Sequence, residues 1–349
     1  MDKVKLGKSD LTVSKISIGT VPFGEQNTEA QGHAILDAAV SHGINFIDTA
    51  ELYPSMKPNT AGLSEEIVGT WLKTKRREDF IIASKMVGCN PPLTWIRNGK
   101  SRFSKAHITE AIDGSLKRLG TDYIDLYQLH WPDRNTIFFG EWTFDRNRER
   151  EPHIPNTPIP EVLESLQDAV KAGKIRYIGV SNENSWGICQ FTKYADQLNL
   201  PRIVSIQNGY SLVNRSFEYE LDEACYREGV SLLAYSPLSF GTLTGKYIED
   251  PNVNGRMNIF HKEWSPRYIR PAATKAVEAY YHLAKKHNMT PTELALGWVY
   301  SRKFIASTII GATTVEQVEC NIKAAASSIT SELEQEINEL HMLLGDPAK

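Results

Sequence analysis

Four ionisable residues lie at the ends of apolar segments that have the composition of β-strands. Asp48 ends "INFID", Lys85 ends "IIASK", His130 ends "LYQLH", and Tyr53 follows Asp48 by five residues. A carboxylate can keep an ammonium charged, and the ammonium can lower the pKa of a nearby phenol, which is otherwise about 10. The set therefore predicts a general acid at Tyr53 that is tuned by Lys85 and Asp48.

His130 adds a second polar group to this predicted site. An imidazole can hydrogen-bond the same substrate oxygen that the phenol protonates, and so orient it. Protonation of oxygen together with hydride delivery is carbonyl reduction. Because no amino-acid side chain donates hydride, the sequence predicts a bound nicotinamide. Each residue alone is more often a turn, packing or surface residue, so the prediction depends on their shared position at strand ends.

Alternating strand and helix patterns would place these residues on one face of a barrel. The segments "VKLG" and "LTVSK" around "KSD" predict an N-terminal β-hairpin, and eight strand-like segments follow with amphipathic segments between them. Apolar strands that alternate with helices indicate an α/β fold with a parallel sheet, and eight units indicate a (β/α)8 TIM barrel. An open doubly wound sheet is disfavoured because no GxGxxG follows the first strand. With no linker evident, we expect residues 1–349 to form a single domain.

Three connections are longer than ordinary loops. They span 86–105, 131–159 and 238–270, and each follows the C-terminal end of a predicted strand. Barrel enzymes build their sites at this end. The eight strands are expected at 16–20, 44–50, 80–85, 124–130, 175–182, 204–210, 230–237 and 307–312.

The composition disfavours several other classes of function. A formal net charge of −3 shows no basic bias, so no nucleic-acid partner is expected. The four cysteines form no CxxC pair, which favours free thiols in a reducing compartment. The N-terminal segment lacks the apolar core of a signal peptide, and no apolar segment is long enough to cross a bilayer. We expect a cytoplasmic protein without a membrane partner, and the sequence leaves its oligomeric state open.

A metal-dependent barrel hydrolase is a weaker alternative. Such an enzyme needs several histidine and carboxylate ligands at strand ends. Of the nine histidines, only His130 is so placed. His282 and His287 fall on different faces of one predicted helix, so no metal site is expected.

Longer motifs resemble those of the aldo-keto reductases. "GINFIDTAELYPS", "IIASK", "DYIDLYQLHWP" and "GKIRYIGVSN" are similar to signatures of that family, and "GEQN", "SLVNRSFE", "GTLTGKY" and "IIGATT" are similar to its Tas-type bacterial members. The resemblance runs from about residue 4 to about residue 340. It implies a (β/α)8 barrel and NADPH-dependent reduction of aldehydes or ketones, with Asp48, Tyr53, Lys85 and His130 as the catalytic tetrad.

The same resemblance implies two groups of cofactor-binding residues. One group would hold the nicotinamide carboxamide, stack beneath the ring and form the floor of the site. Its members are Gly19, Thr20, Ser181, Asn182, Gln207 and Tyr235. The other group would bind the phosphates, partly at the N-terminus of the helix after the last strand. Its members are Ser236, Leu238, Lys246, Arg256, Gly311, Thr313, Gln317 and Asn321.

Two positions depart from the family pattern. Gln317 replaces an arginine that pairs with the 2′-phosphate in many relatives, and Cys320 replaces an acidic residue that contacts the adenine. Arg256 resembles a loop arginine that binds the 2′-phosphate in some members. NADPH therefore remains the expected cofactor, and NADH is the weaker candidate.

The substrate is the least specified part of the prediction. Trp131 and Trp95, with Phe139, are expected to line an aromatic pocket for a small carbonyl compound. The alternative, of equal weight for Trp95 and Phe139, is that these rings only stabilise the loops by packing. The alternative function is that of a nicotinamide-binding redox sensor or regulatory subunit with little turnover, as some relatives are.

Overall fold

Eight parallel strands close into a barrel in the computed structural model. Neighbours along the chain pair with one another, and the last strand pairs with the first. The structure describes residues 1–54, 58–90, 92–137, 139–147, 156–260 and 265–349. The barrel strands are β3 (Ile16–Gly19), β4 (Phe46–Asp48), β5 (Ile81–Met86), β6 (Ile124–Leu129), β7 (Ile175–Ser181), β8 (Ile203–Gly209), β9 (Ser231–Tyr235) and β10 (Ile305–Gly311). The predicted (β/α)8 barrel is confirmed.

Helices surround the barrel. Several begin at a side chain that accepts a hydrogen bond from the first turn, as Thr28 does from the backbone N–H of Gln31. The helices are α1 (Glu29–Ser41), α2 (Leu63–Leu72), α3 (Lys105–Leu119), α4 (Ile159–Lys171), α5 (Ser185–Leu198), α6 (Leu221–Glu228), α7 (Lys246–Glu249), α8 (Arg256–Ile259), α9 (Pro271–Lys286), α10 (Pro291–Ser301), α11 (Val315–Ala325) and α12 (Ser331–Leu344). Helices α7, α8 and α12 were not predicted from the sequence.

An N-terminal hairpin closes one end of the barrel. Strands β1 (Lys3–Lys5) and β2 (Thr12–Ser14) pair antiparallel, as predicted. Leu6 and Leu11 between them are buried against side chains of the barrel interior such as Phe46. Because this apolar cluster fills the N-terminal end, a polar site has to lie at the other end.

The long connections leave the C-terminal ends of three strands. They follow Met86, Leu129 and Tyr235, the last residues of β5, β6 and β9. This arrangement agrees with the sequence analysis, although residues 91, 138, 148–155 and 261–264 of these connections lie outside the described part. Among the described residues, no helix has the length and hydrophobicity needed to cross a membrane.

Candidate active site

The four residues predicted to react together are neighbours at the C-terminal end of the barrel. Lys85 Nζ donates to Asp48 Oδ2 at 2.6 Å and to the Tyr53 hydroxyl at 3.4 Å. The Tyr53 hydroxyl lies 3.5 Å from His130 Nε2. Parallel pairing produces this arrangement because Asp48 of β4 pairs with Ala83 of β5, and Lys85, two residues further on, points to the same side.

Buried hydrogen bonds hold the Asp48–Lys85 ion pair in place. Asp48 is 2% exposed and Lys85 is 0% exposed. Asp48 Oδ1 accepts from the amide nitrogens of Gln207 at 2.8 Å and Gln128 at 3.2 Å, and Lys85 Nζ also donates to the carbonyl oxygen of Thr49 at 2.8 Å. A buried ion pair is stable only when its remaining donors and acceptors are satisfied. These contacts meet that condition.

Gln128 is a site residue that was not predicted from the sequence. It is fully buried in β6, where it lies opposite Lys85 and two residues before His130. Successive strand residues alternate between the two faces, so Gln128 and His130 share a side. A glutamine in the apolar segment "IDLYQLH", in register with the histidine, was the available signal.

The pKa of Tyr53 differs in direction from the prediction. Burial, and after it the Asp48 carboxylate, raises the pKa of Tyr53 well above its ordinary value, although Arg256 opposes the rise. The prediction of a lowered pKa was wrong because burial of the phenol, together with the nearby Asp48 carboxylate, disfavours the phenolate. Tyr53 therefore keeps its proton at neutral pH, which is the state that an acid requires.

His130 is neutral in the folded protein. Burial lowers its pKa well below the ordinary value, and the Lys85 charge adds to this effect. Among the described residues, its Nδ1 has no hydrogen-bond partner. A neutral imidazole has one N–H donor and one acceptor nitrogen. It can therefore hydrogen-bond an oxygen beside Tyr53 without adding a second positive charge near Lys85.

We expect His130 to reduce stability in mild acid. Its pKa is well below 6.5 in the folded protein and near 6.5 in the unfolded chain, so only the unfolded state gains a proton as the pH falls below that value. The free energy of unfolding should fall by up to about 1.4 kcal/mol per pH unit below about 6.5. Urea unfolding at about pH 7.5 and about pH 5.5 measures the loss. It should be smaller in His130→Gln, and an equal loss in both proteins would contradict this prediction.

The residues predicted at the nicotinamide carboxamide lie at the ends of β7, β8 and β9. Asn182 Nδ2 donates to the carbonyl oxygen of His130 at 2.8 Å, and Asn182 Oδ1 accepts from the Tyr235 hydroxyl at 2.7 Å. The Ser181 hydroxyl donates to the carbonyl oxygen of Gln207 at 2.7 Å. The structure therefore joins these predicted residues and His130 in one hydrogen-bonded group.

The other predicted residues near the nicotinamide are also close to Asp48. Gln207 donates its amide nitrogen to Asp48, so its amide oxygen is the atom suited to accept from a cofactor carboxamide. Gly19 pairs with Asp48 across β3 and β4. Thr20 is fully buried, and its hydroxyl donates to the Asp48 carbonyl oxygen at 3.1 Å.

The predicted phosphate-binding residues lie in two places. Gly311 ends β10, and the backbone N–H of Thr313 donates to Gln317 Oε1 at 2.9 Å. Asn321 Nδ2 donates to the carbonyl oxygen of Gly311 at 3.3 Å, and Thr314 caps the N-terminus of α11. This group is therefore assembled around the start of one helix.

The second place is the connection after β9. It contains Ser236, which has a positive φ of 54°, and Leu238, which packs against the main apolar core. Lys246 begins α7 and Arg256 begins α8. Burial lowers the pKa of both cations, and Arg256 lowers that of Lys246 further. The two positive groups are therefore near each other.

The predicted aromatic residues lie beside Tyr53. Trp131 is only 3% exposed and belongs to an apolar cluster against which Tyr53 and Trp95 pack. Phe139 is 46% exposed and meets Trp131 edge to face, with 5.9 Å between ring centres. Their role in lining a substrate pocket stays a prediction. Trp131 would contribute little accessible surface to such a pocket because its side chain is buried.

The metal ligands that a barrel hydrolase would require do not come together in the described part of the structure. Across the described segments, no group of three or more His, Cys, Asp or Glu side chains is arranged to hold a metal ion. His287, at the C-terminal end of α9, has Glu336 Oε1 3.0 Å from its Nε2. This contact lies in the outer helices rather than at strand ends.

Comparison with known proteins identifies the family. The model of the aldo/keto reductase family matches residues 15–341. The chain belongs to this family. Protein tas of Escherichia coli (strain K12) is 44% identical to this aldo/keto reductase over 346 residues, which cover 99% of both chains. The resemblance inferred from the motifs is therefore confirmed, and the family is one of oxidoreductases that act on small carbonyl compounds.

Two further relatives show that aldo/keto reductases with this degree of similarity differ in their stated roles. The NADH-specific methylglyoxal reductase of Escherichia coli (strain K12) is 31% identical over 93% of both chains. A probable voltage-gated potassium channel subunit beta of Arabidopsis thaliana is 30% identical, over 93% of this chain and 91% of that protein. Family membership alone therefore leaves cofactor preference open.

Proposed function

We propose that this protein reduces aldehydes or ketones to alcohols with NADPH and that Tyr53 is the general acid. The observation that carries the proposal is the position of the Tyr53 hydroxyl, which is 3.4 Å from Lys85 Nζ and 3.5 Å from His130 Nε2. A carbonyl oxygen at this hydroxyl can receive its proton and a hydrogen bond from His130. The groups needed on the oxygen side of the reaction therefore meet at one point.

Each residue of the tetrad has a separate task in this proposal. Bound NADPH would supply the hydride that reduces the carbonyl carbon. Tyr53 donates its proton from the hydroxyl, and the Lys85 ammonium stabilises the phenolate that remains. Asp48 keeps Lys85 charged and fixed inside the barrel. Neutral His130 orients the substrate oxygen.

The cations after β9 support a phosphate-bearing cofactor. Lys246 Nζ lies 5.0 Å from the centre of the Tyr247 ring, and Arg256 Cζ lies 4.7 Å from that of Phe240. Burial disfavours the charge on both side chains and Arg256 repels Lys246, while the Glu25 carboxylate favours the charge on Arg256. Two adjacent cations repel each other, and a bound phosphate would reduce that cost.

We expect Arg256→Ala to weaken NADPH more than NADH. Only NADPH carries the 2′-phosphate that Arg256 is proposed to bind, and loss of a charged hydrogen bond should raise the Kd for NADPH roughly tenfold. Lys246→Ala is the matched variant, and it should weaken both cofactors because the pyrophosphate is common to them. Fluorescence titration measures the four dissociation constants. Equal weakening of both cofactors by Arg256→Ala would place the 2′-phosphate elsewhere.

Turnover measurements test the proposed function directly. Loss of NADPH absorbance would be followed with a panel of reactive aromatic aldehydes and dicarbonyl compounds, with NADH in parallel. We expect turnover with NADPH to exceed that with NADH. NADH is the alternative cofactor to be compared, because one relative is an NADH-specific methylglyoxal reductase. A faster reaction with NADH would overturn the cofactor assignment while leaving the reductase proposal in place.

A regulatory subunit is the second candidate. The observation that favours it is the similarity to a protein described as a probable potassium channel subunit beta. This candidate predicts NADPH binding without appreciable oxidation by any carbonyl compound. The complete tetrad favours the enzyme, because a subunit without turnover has no need of a positioned acid.

The remaining predictions about the whole chain are also proposals. We propose that residues 1–349 act as one domain and that the protein works in the cytoplasm. The four cysteines are free, as expected in a reducing compartment. The proposed ligands are a nicotinamide cofactor and a small carbonyl substrate, with no nucleic-acid or membrane partner.

A further inference from the structure

An ion pair joins the two connections that follow β6 and β7. Arg134 Nη1 and Nη2 donate to the two carboxylate oxygens of Glu183 at 2.7 Å and 2.5 Å. The Glu183 side chain is 2% exposed and that of Arg134 is 15% exposed, with Trp186 covering the guanidinium at 4.7 Å. Paired hydrogen bonds of this kind fix direction as well as distance.

The chain around this ion pair is adapted to it. A Cβ atom at Gly187 would lie 2.1 Å from Glu183 Cδ, so this helix position has room only for glycine. The backbone N–H of Asn184 donates to Glu183 Oε1 at 2.7 Å, and Asn184 Nδ2 donates to the Thr136 hydroxyl at 2.7 Å. The two connections are therefore joined through side chains at two neighbouring points.

The ion pair lies next to the residues proposed to hold the nicotinamide. Asn182 precedes Glu183 and has a positive φ of 52°, a left-handed conformation that costs a non-glycine residue of order 1 kcal/mol. Neighbouring contacts must maintain it. Asn208 Oδ1 accepts from the Glu183 backbone N–H at 3.2 Å, and Asn208 Nδ2 donates to the Glu183 carbonyl oxygen at 2.9 Å.

The connection after β6, which contains Arg134, begins at His130. Arg134 follows His130 by four residues, and Asn182 Nδ2 donates to the His130 carbonyl oxygen. A displacement of the Glu183 turn would therefore move Asn182 and loosen the backbone of His130. Small displacements of such groups are costly because hydride transfer depends on their positions.

We propose that the Arg134–Glu183 ion pair positions Asn182 and His130 around the nicotinamide. Arg134 and Glu183 are positioning residues, since neither is placed in contact with the reacting atoms. The inference rests on the proposed function and deepens it. A merely structural role predicts a general loss of stability, whereas positioning predicts a selective loss at the nicotinamide end of the cofactor.

The test compares NADPH with adenosine 2′,5′-bisphosphate, which lacks the nicotinamide. In Glu183→Gln, which keeps the shape of the side chain but removes its charge, we expect the Kd for NADPH to rise roughly fivefold and kcat to fall roughly tenfold. The Kd for the bisphosphate should stay within about twofold of wild type. Arg134→Lys keeps the charge but cannot donate in parallel, so it should show a smaller effect of the same kind.

Asp125→Asn is the matched control. Asp125 is 1% exposed and bonds to Arg77 at 2.7 Å and Arg176 at 2.8 Å, but it lies near the start of β6, at the opposite end of the barrel. We expect Asp125→Asn to lower thermal stability without changing the ratio of the Kd values for NADPH and the bisphosphate.

The outcomes of this comparison test both the positioning role and the proposed function. Equal weakening of both ligands by Glu183→Gln, or no weakening of NADPH in either that variant or Arg134→Lys, would overturn the positioning role. Failure of the wild type to bind NADPH would overturn the proposed function and this inference with it. If Glu183→Gln does not fold, Arg134→Lys decides alone.

Discussion

Tyr53→Phe should lower kcat for carbonyl reduction by roughly 10²- to 10⁴-fold, the usual contribution of a general acid. The phenylalanine ring fills nearly the same space and removes only the hydroxyl that carries the proton. NADPH should bind about as well as before, because the hydroxyl makes only long contacts of 3.4 Å and 3.5 Å with Lys85 and His130. Single-turnover measurements at saturating NADPH would isolate this loss from cofactor binding.

A second tyrosine provides the matched control for this substitution. The Tyr280 hydroxyl is buried in α9 and has no hydrogen-bond partner in the described part of the protein. Tyr280→Phe removes the same atom and should retain the activity of the wild type. If Tyr53→Phe reduces a good aldehyde as fast as Tyr280→Phe does, Tyr53 is not the acid.

Lys85→Met should cause the second large effect, on both activity and stability. The substitution leaves the Asp48 carboxylate buried without its positive partner, which should reduce the free energy of unfolding by about 3–5 kcal/mol. Activity should fall at least about 100-fold, since the phenolate that forms at Tyr53 loses its stabilising charge. Urea unfolding and the NADPH assay measure the two losses separately.

The double variant Asp48→Asn with Lys85→Met separates the two causes. It removes both charges, and the asparagine oxygen can still accept from Gln128 and Gln207 as Asp48 does. Most of the lost stability should return, while activity should remain low. A double variant as unstable as Lys85→Met would show that packing, rather than an unpaired charge, causes the loss.

The fold and the tetrad followed from local patterns. Strand segments could be recognised from their apolar composition, and parallel strands in a barrel have their C-terminal ends on one face. Asp48, Lys85 and His130 are at such ends, so their meeting required only the topology. The helix α12 was missed, although Thr330 accepts from the backbone N–H of Leu333 and begins it with an ordinary N-cap.

Other features depend on contacts between distant residues. Gln128 and Gln207 bond to Asp48 across the barrel interior, which depends on the register of five strands. Arg134 and Glu183 are 49 residues apart in the chain, and each looks like an ordinary surface charge in its own segment. Pairing of this kind depends on how the connections fold back on each other, and no local pattern encodes it.

The sequence by itself determined the barrel, the order of its strands and the four residue types at the face where they meet, because hydrophobic periodicity and strand direction are local properties. Only the tertiary structure decided the protonation states. The direction of the Tyr53 pKa shift depends on how deeply the phenol is buried and on how near the Asp48 carboxylate lies. Desolvation and distance exist only in the folded protein, so the residues predicted the site but could not predict its electrostatics.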